Sequence, residues 1–343
     1  MFFLKKNIII VYTALSVIFP YCAGAQSTET YLDQGIVSAM RGDYGTAIEE
    51  FTEAIRLNPD TAAAYILRAR ALFASVSIVT GVRENFRGID YNSSAGHISA
   101  EQIRVYDLVI EDLTEAIRLD PNNAETYNNR GNAYREKSDF DMAIADFTEA
   151  IRINPNYSLA YSNRGIAYRN KNDYDGAIAD YTQAIKLNPN SATAYYNRGF
   201  AYENKRDYDS AIADYNQAIR FNPNYALAYY GRGNMYYYKN DYDKAIADYT
   251  QVIRLDPNDV DAYFLRGLSH VNMREYDKAI ADYTQVVRLI PNNIDVYLLR
   301  GIAYYLKGYI DMAITDWEAV LNIDPDNANA RKNIETARQQ RGY

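Results

Sequence analysis

From Thr28 onward the large apolar residues return in fixed slots. One stretch reads Tyr127-x-x-Arg130-Gly131-x-x-Tyr134, then Ala143-x-x-x-Phe147, then Pro155. The following stretch repeats it with Tyr161, Arg164, Gly165, Tyr168, Ala177, Tyr181 and Pro189. Pro121, Pro155, Pro189, Pro223, Pro257, Pro291 and Pro325 stand 34 residues apart, and Pro59 precedes them by 62, one period plus 28. The slots in each period predict two short antiparallel helices. Neither can bury its apolar stripe alone, so the units must stack.

Each slot has a physical reason. Gly131 and Ala143 are expected where the two helices cross, because small side chains let the backbones approach. Tyr127, Tyr134, Phe140 and Phe147 fill the remaining space. Asp139, Asp173, Asp207 and Asp241 fall where N-caps of the second helix belong. The Asn-Pro-Asn and Asp-Pro-Asn runs end that helix, since proline cannot continue its hydrogen-bond ladder. One unit is interrupted. Residues from Pro59 to Ala74 match a first helix and those from Val105 to Pro121 a second, with an insertion at about 77–104. Ser99 and Gln102 offer a capping-box start ahead of Val105, and the polar, glycine-containing core Arg83–Gly96 predicts a loop.

The slots resemble the tetratricopeptide pattern W-x-x-L-G-x-x-Y, A-x-x-x-F, P, with tyrosine at the first aromatic position and arginine at the leucine position. The resemblance covers eight units: 28–61, 62–123 with its insertion, 124–157, 158–191, 192–225, 226–259, 260–293 and 294–327. The polar helical tail 328–343 is expected to cap the last of them. What the resemblance implies is an all-α, right-handed α-solenoid of antiparallel helix pairs whose first helices line a concave face. It also implies a chain that binds a partner and is not an enzyme.

Composition adds a location. Met1–Lys6 carries two lysines, Ile8–Phe19 is apolar, and Ala23-Gly24-Ala25 offers small residues for cleavage after Ala25. The apolar run is too short to span a bilayer, which needs about 20 residues. A cleaved signal peptide, 1–25, is therefore expected, with a periplasmic or extracellular destination. Lipid anchoring at Cys22 ranks second, because Phe19-Pro20-Tyr21 is bulky where a lipobox needs small residues. Cleavage would remove the one cysteine and with it any disulfide or thiol chemistry. It would also remove Lys5 and Lys6 but no acidic residue, taking the net charge from −8 to about −10. Such an acidic chain is not expected to bind nucleic acid or an anionic membrane surface.

Repeated charges read as architecture. Arg68, Arg130, Arg164, Arg198, Arg232, Arg266 and Arg300 recur before the glycine. Asp112, Asp146, Asp180, Asp214, Asp248, Asp282 and Asp316 recur on the second helix, so a ladder of Arg–Asp pairs is expected. His270 replaces a core tyrosine, and His97 has no metal-ligand spacing near it. No catalytic residue, metal site or cofactor is expected.

The first-helix positions that the resemblance places outward carry the functional expectation. They are polar early in the array, with Asn128, Asn132 and Asn163. Further on they become aromatic and aliphatic, with Tyr196, Phe200, Tyr230, Tyr237, Phe264 and Leu268. The cationic slots of the chaperone-binding carboxylate clamp hold no lysine or arginine in units three to eight. The expected partner is thus a peptide or protein in the groove, the asparagines bonding its backbone and the aromatic half taking apolar anchors. A transport-associated or small-ligand-binding protein and a purely structural assembly factor are the alternatives.

Overall fold

The computed structural model describes residues 27–79 and 99–340. Among these residues there are seventeen α-helices and no strand. The first four units comprise α1 (Thr28–Met40) and α2 (Tyr44–Leu57), α3 (Ala62–Val79) and α4 (Ala100–Leu119), α5 (Ala124–Glu136) and α6 (Phe140–Ile153), α7 (Ser158–Asn170) and α8 (Tyr174–Leu187). Then come α9 (Ala192–Asn204) and α10 (Tyr208–Phe221), α11 (Ala226–Tyr238) and α12 (Tyr242–Leu255), α13 (Val260–Asn272) and α14 (Tyr276–Leu289), α15 (Ile294–Leu306) and α16 (Ile310–Ile323). A last helix, α17 (Ala328–Gln340), follows.

Each odd-numbered helix packs on the even-numbered one after it, and each even-numbered helix on the next unit's first helix. First helices of neighbouring units also touch, as α5 does α7 and α9 does α11, while no comparable contact joins second helices. The stack is closer along the first helices, which puts them on its inner, concave side.

The turn inside each unit explains its sharpness. After α5, Asp139 N donates to Tyr134 O at 2.9 Å and Ser138 N to Arg135 O at 2.8 Å, the paired bonds of a Schellman turn. Its hinge residue is left-handed: Ser138 has φ 62°, Arg206 61° and Gly308 87°. The aspartates then cap the second helix as predicted, with Asp139 accepting from Met142 N at 3.2 Å and Asp173 from Gly176 N at 2.9 Å. Second helices stop at an extended residue directly before the proline, as Asn154 does.

A single large side chain from each second helix forms the spine of the core, a ring in seven units and Leu113 in the interrupted one. Phe147, Tyr181, Tyr215, Tyr249 and Tyr283 are fully buried, and Trp317 nearly so. Gly131 is required beneath Phe147, since a Cβ there would lie 2.8 Å from Cε1 of the ring.

The charged ladder is present in seven units. Arg198 donates through Nε and Nη2 to the two carboxylate oxygens of Asp214, both at 2.7 Å. Its Nη1 reaches back 3.0 Å to Thr182 Oγ1 in the preceding unit. Arg68, Arg130, Arg164, Arg266 and Arg300 repeat all three bonds, and Arg232 does so with Asn216 in place of threonine. The first unit has Gln34 and Glu50 in these slots instead. A second ladder joins unit to unit: Lys137 with Asp107, Lys171 with Asp141, Lys205 with Asp175, Lys239 with Asp209 and Lys307 with Asp277.

The interrupted unit closes like the others, α3 against α4, with Arg68 bonded to Asp112 across the insertion. The capping box of Ser99 and Gln102 is formed. α4 begins at Ala100, where that capping box predicts, while α3 runs further into the insertion than expected, to Val79, so the edges of 77–104 are helical. The leader with Cys22 and Ala25, the loop 83–96 and His97 lie outside the described residues. α17 lays Ala330, Ile334 and Ala337 on Trp317 and Val320, covering the last unit. No described helix is long and apolar enough to cross a membrane.

Candidate functional site: the inner wall of units five to seven

Tyr196, Tyr230 and Phe264 occupy one slot on three successive first helices, α9, α11 and α13. Each is half-buried, and each ring lies on the core ring of its own unit. The centroid separations are 5.8 Å from Tyr196 to Tyr215, 6.2 Å from Tyr230 to Tyr249 and 6.3 Å from Phe264 to Tyr283. Tyr196 also meets Tyr225, the residue just before α11, at 5.0 Å. The row thus has a core-facing side and a solvent-facing side. The sequence pattern alone placed these side chains outside the packing that joins the helices, and their ring contacts correct that.

The other apolar candidates stand beside the row. Phe200 is half-buried under the Arg169 guanidinium, 5.3 Å above its ring. Tyr237 packs edge-on to Tyr242 at 5.5 Å and accepts from Asn272 Nδ2 at 3.3 Å. Leu268 is half-buried one turn from Phe264.

The asparagines behave differently. Asn128 is 1% exposed and Asn163 7%, and Asn163 Nδ2 donates to Asn128 Oδ1 at 2.9 Å. They were expected to bond a ligand's backbone. Instead they bond each other, because α5 and α7 approach closely enough to bury both. Asn132 is half-buried, and its Oδ1 meets no hydrogen-bond partner among the described residues.

Hydroxyls of the buried rings emerge toward the same wall. Tyr215 Oη donates to Glu203 Oε2 at 2.5 Å, and Tyr249 Oη to Asn234 Oδ1 at 2.8 Å. Tyr283 Oη meets no partner among the described residues, as the equivalent slots hold Leu268 and Val271. Burial pushes all three hydroxyls well above the ordinary tyrosine pKa, with Glu203 adding to the effect at Tyr215, so they stay protonated. Burial also raises the Glu203 carboxyl, partly offset by the bond from Tyr215. Tyr230 is raised by burial first and then by Asp261, Asp259 and Glu203. Glu203 escaped the sequence reading, although a signal existed: it is the one carboxylate in a column that otherwise runs Ala39, Phe73, Arg135, Arg169, Tyr237, Val271, Tyr305.

His270 is a core substitution, 6% exposed with Nδ1 2.7 Å from Glu275 Oε2. Asp173 caps its helix and Asp175 pairs with Lys205. A separate shallow cavity of about 330 Å³ lies away from the wall, at the turn containing Asp243. It opens where Met273 replaces the lysine of the second ladder.

Comparison with known proteins agrees with this architecture. Family profiles described as TPR repeat match residues 106–136, 167–205, 233–273 and 275–308. Profiles described as tetratricopeptide repeat match 32–77, 124–157, 147–179, 192–225 and 294–327. No curated protein matches the sequence. Among solved structures the chain is similar to YrrB, described as a TPR protein with an unusual peptide-binding site. The two are 26% identical with a TM-score of 0.50, over 54% of this chain and 96% of that one. It is also similar in fold to the C-terminal part of a TPR repeat-containing protein from Cytophaga hutchinsonii, at 22% identity and a TM-score of 0.60, covering 68% of this chain and 96% of that one. MamA aligns at 29% identity and a TM-score of 0.48 over 50% of this chain and 93% of its own. With the repeat matched from its first unit to its last, and the helix pairs stacked as the repeat demands, the chain belongs to the tetratricopeptide repeat family.

Proposed function

We propose that this chain is a non-catalytic scaffold that holds an extended peptide, or a segment of a partner protein, along the inner wall of units five to seven. The observation that carries the reading is the row of Tyr196, Tyr230 and Phe264. Three rings in register on successive helices, each fixed from behind by a buried ring, form a rigid surface that needs little ordering on binding. A contiguous apolar surface left partly open to solvent marks partner sites, and aromatic anchors carry most of the energy of such interfaces. The described similarity to a peptide-binding repeat protein supports the same reading.

The test is selection from a random peptide library on the purified protein, followed by affinity measurement. Tyr230→Ala with Phe264→Ala should weaken a selected peptide by at least about 2 kcal/mol. The double variant also loses packing on Tyr249 and Tyr283, so binding is compared well below its unfolding midpoint. Unchanged affinity in the folded variant would remove the groove from consideration. We also propose that the work is done outside the cytoplasm, on the strength of the leader pattern in residues 1–25. A secreted form beginning at Gln26, read by N-terminal sequencing, is the expected result. An intact Met1 on the cellular protein would refute export.

A further inference from the structure

We propose that the inner wall where units five and six meet takes a cation, the lysine or arginine side chain of a bound peptide, with Glu203 as counter-charge and the rings of Tyr196 and Tyr230 beside it. This holds only if the groove takes a peptide at all, and it adds which residue of that peptide is read.

Each buried carboxylate among the described residues has a cation. Asp112, Asp146, Asp180, Asp214, Asp248, Asp282 and Asp316 are each about 5% exposed or less and each held by an arginine. Glu203 is half-buried, yet its one hydrogen-bond partner among the described residues is the neutral Tyr215 hydroxyl. Three nearby cations are engaged elsewhere. Arg198 is bonded to Asp214, Lys205 is paired with Asp175, and Arg169 lies over Phe200. A carboxylate partly removed from water with no counter-charge is costly, and the cost is relieved by a cation from outside.

The surroundings are arranged for such a guest. Gly231 stands where the two preceding units carry Asn163 and Asn197. A Cβ at Gly231 would fall 2.6 Å from Tyr215 Cζ and 2.9 Å from its hydroxyl. Glycine is therefore what lets the Tyr215 hydroxyl reach and orient Glu203. Tyr196 leans on Tyr215, and the Tyr230 hydroxyl lies within the electrostatic reach of Glu203, Asp259 and Asp261. Aromatic faces and carboxylates both attract positive charge, and they do so more strongly where water is displaced. The position has no repeated structural duty, since Arg135 and Arg169 hold it in the units before and Tyr237 and Val271 in those after.

The experiment compares random-peptide selections on the unaltered protein and on Glu203→Gln, which keeps an acceptor for Tyr215. Lysine or arginine should be enriched at one register on the unaltered protein. On Glu203→Gln that preference should vanish while the apolar preferences at other registers remain. For a selected peptide, replacing its basic residue by norleucine should cost the unaltered protein about tenfold in affinity and Glu203→Gln almost nothing. Peptides selected without a basic residue, or a basic preference that survives in Glu203→Gln, would overturn the cation reading and leave the groove standing. A selection that enriches nothing on the unaltered protein would reject both. The norleucine comparison on the unaltered protein decides the matter even where the variant folds poorly.

Discussion

At the scale of single residues, the arginine column shows how one side chain can be structural in three directions. Arg198 spans its own unit through Asp214, touches the preceding unit through Thr182, and lies 5.7 Å over the Tyr195 ring. Arg198→Ala leaves Asp214 buried and unpaired, so the array should lose roughly 2–3 kcal/mol, read from its urea midpoint. Arg198→Lys should recover only part of that, because an ammonium cannot make two parallel bonds to the carboxylate and still reach Thr182. Peptide affinity should survive both changes. Lost binding at unchanged stability would move the column from architecture to recognition. The pairing was legible in the sequence because both partners recur in every period. The Asn128–Asn163 bond was not, since a column of outward slots does not say how closely two neighbouring helices approach. Glu203 lay hidden for the opposite reason: it occurs once, and a reading built on recurrence passes over singular residues.

At the scale of elements, the helix boundaries follow from caps and turns. Aspartate caps, proline stops and the Ser99 capping box were all visible as residue types in register. The overrun of α3 to Val79 was not, because no proline or glycine ends that helix at the usual place. The turn between paired helices carries a further constraint. Its hinge is left-handed in both glycine and non-glycine units, and an L side chain there strains the backbone by about 1–2 kcal/mol. Arg206, at φ 61°, makes no ion pair among the described residues that would repay the strain. Arg206→Gly should therefore stabilise the array by about 0.5–1 kcal/mol after allowing for the greater freedom of glycine in the unfolded chain. Gly308→Ala should shift the thermal midpoint the other way. Equal midpoints for Arg206→Gly and the parent would mean that this turn is already relaxed.

At the scale of the whole molecule, stability is close to a sum over units and the junctions between them. The stack itself could be read from a period, since each unit buries its ring only with a neighbour present. Where along the stack a partner would sit could not be read so directly. It depends on which face each ring shows, and that is set by how the ring lies on the core ring behind it. The arginine bonds give the array a direction as well. Each Arg Nη1 points back to the second helix of the unit before it, so every unit closes onto something the ribosome has already made. Six of the seven pairs complete within 16 residues of chain. Arg68 alone must wait for Asp112, 44 residues later. In a chain emerging from its N-terminus, α3 thus has the preceding unit to pack on but lacks its own partner helix for longer than any other first helix.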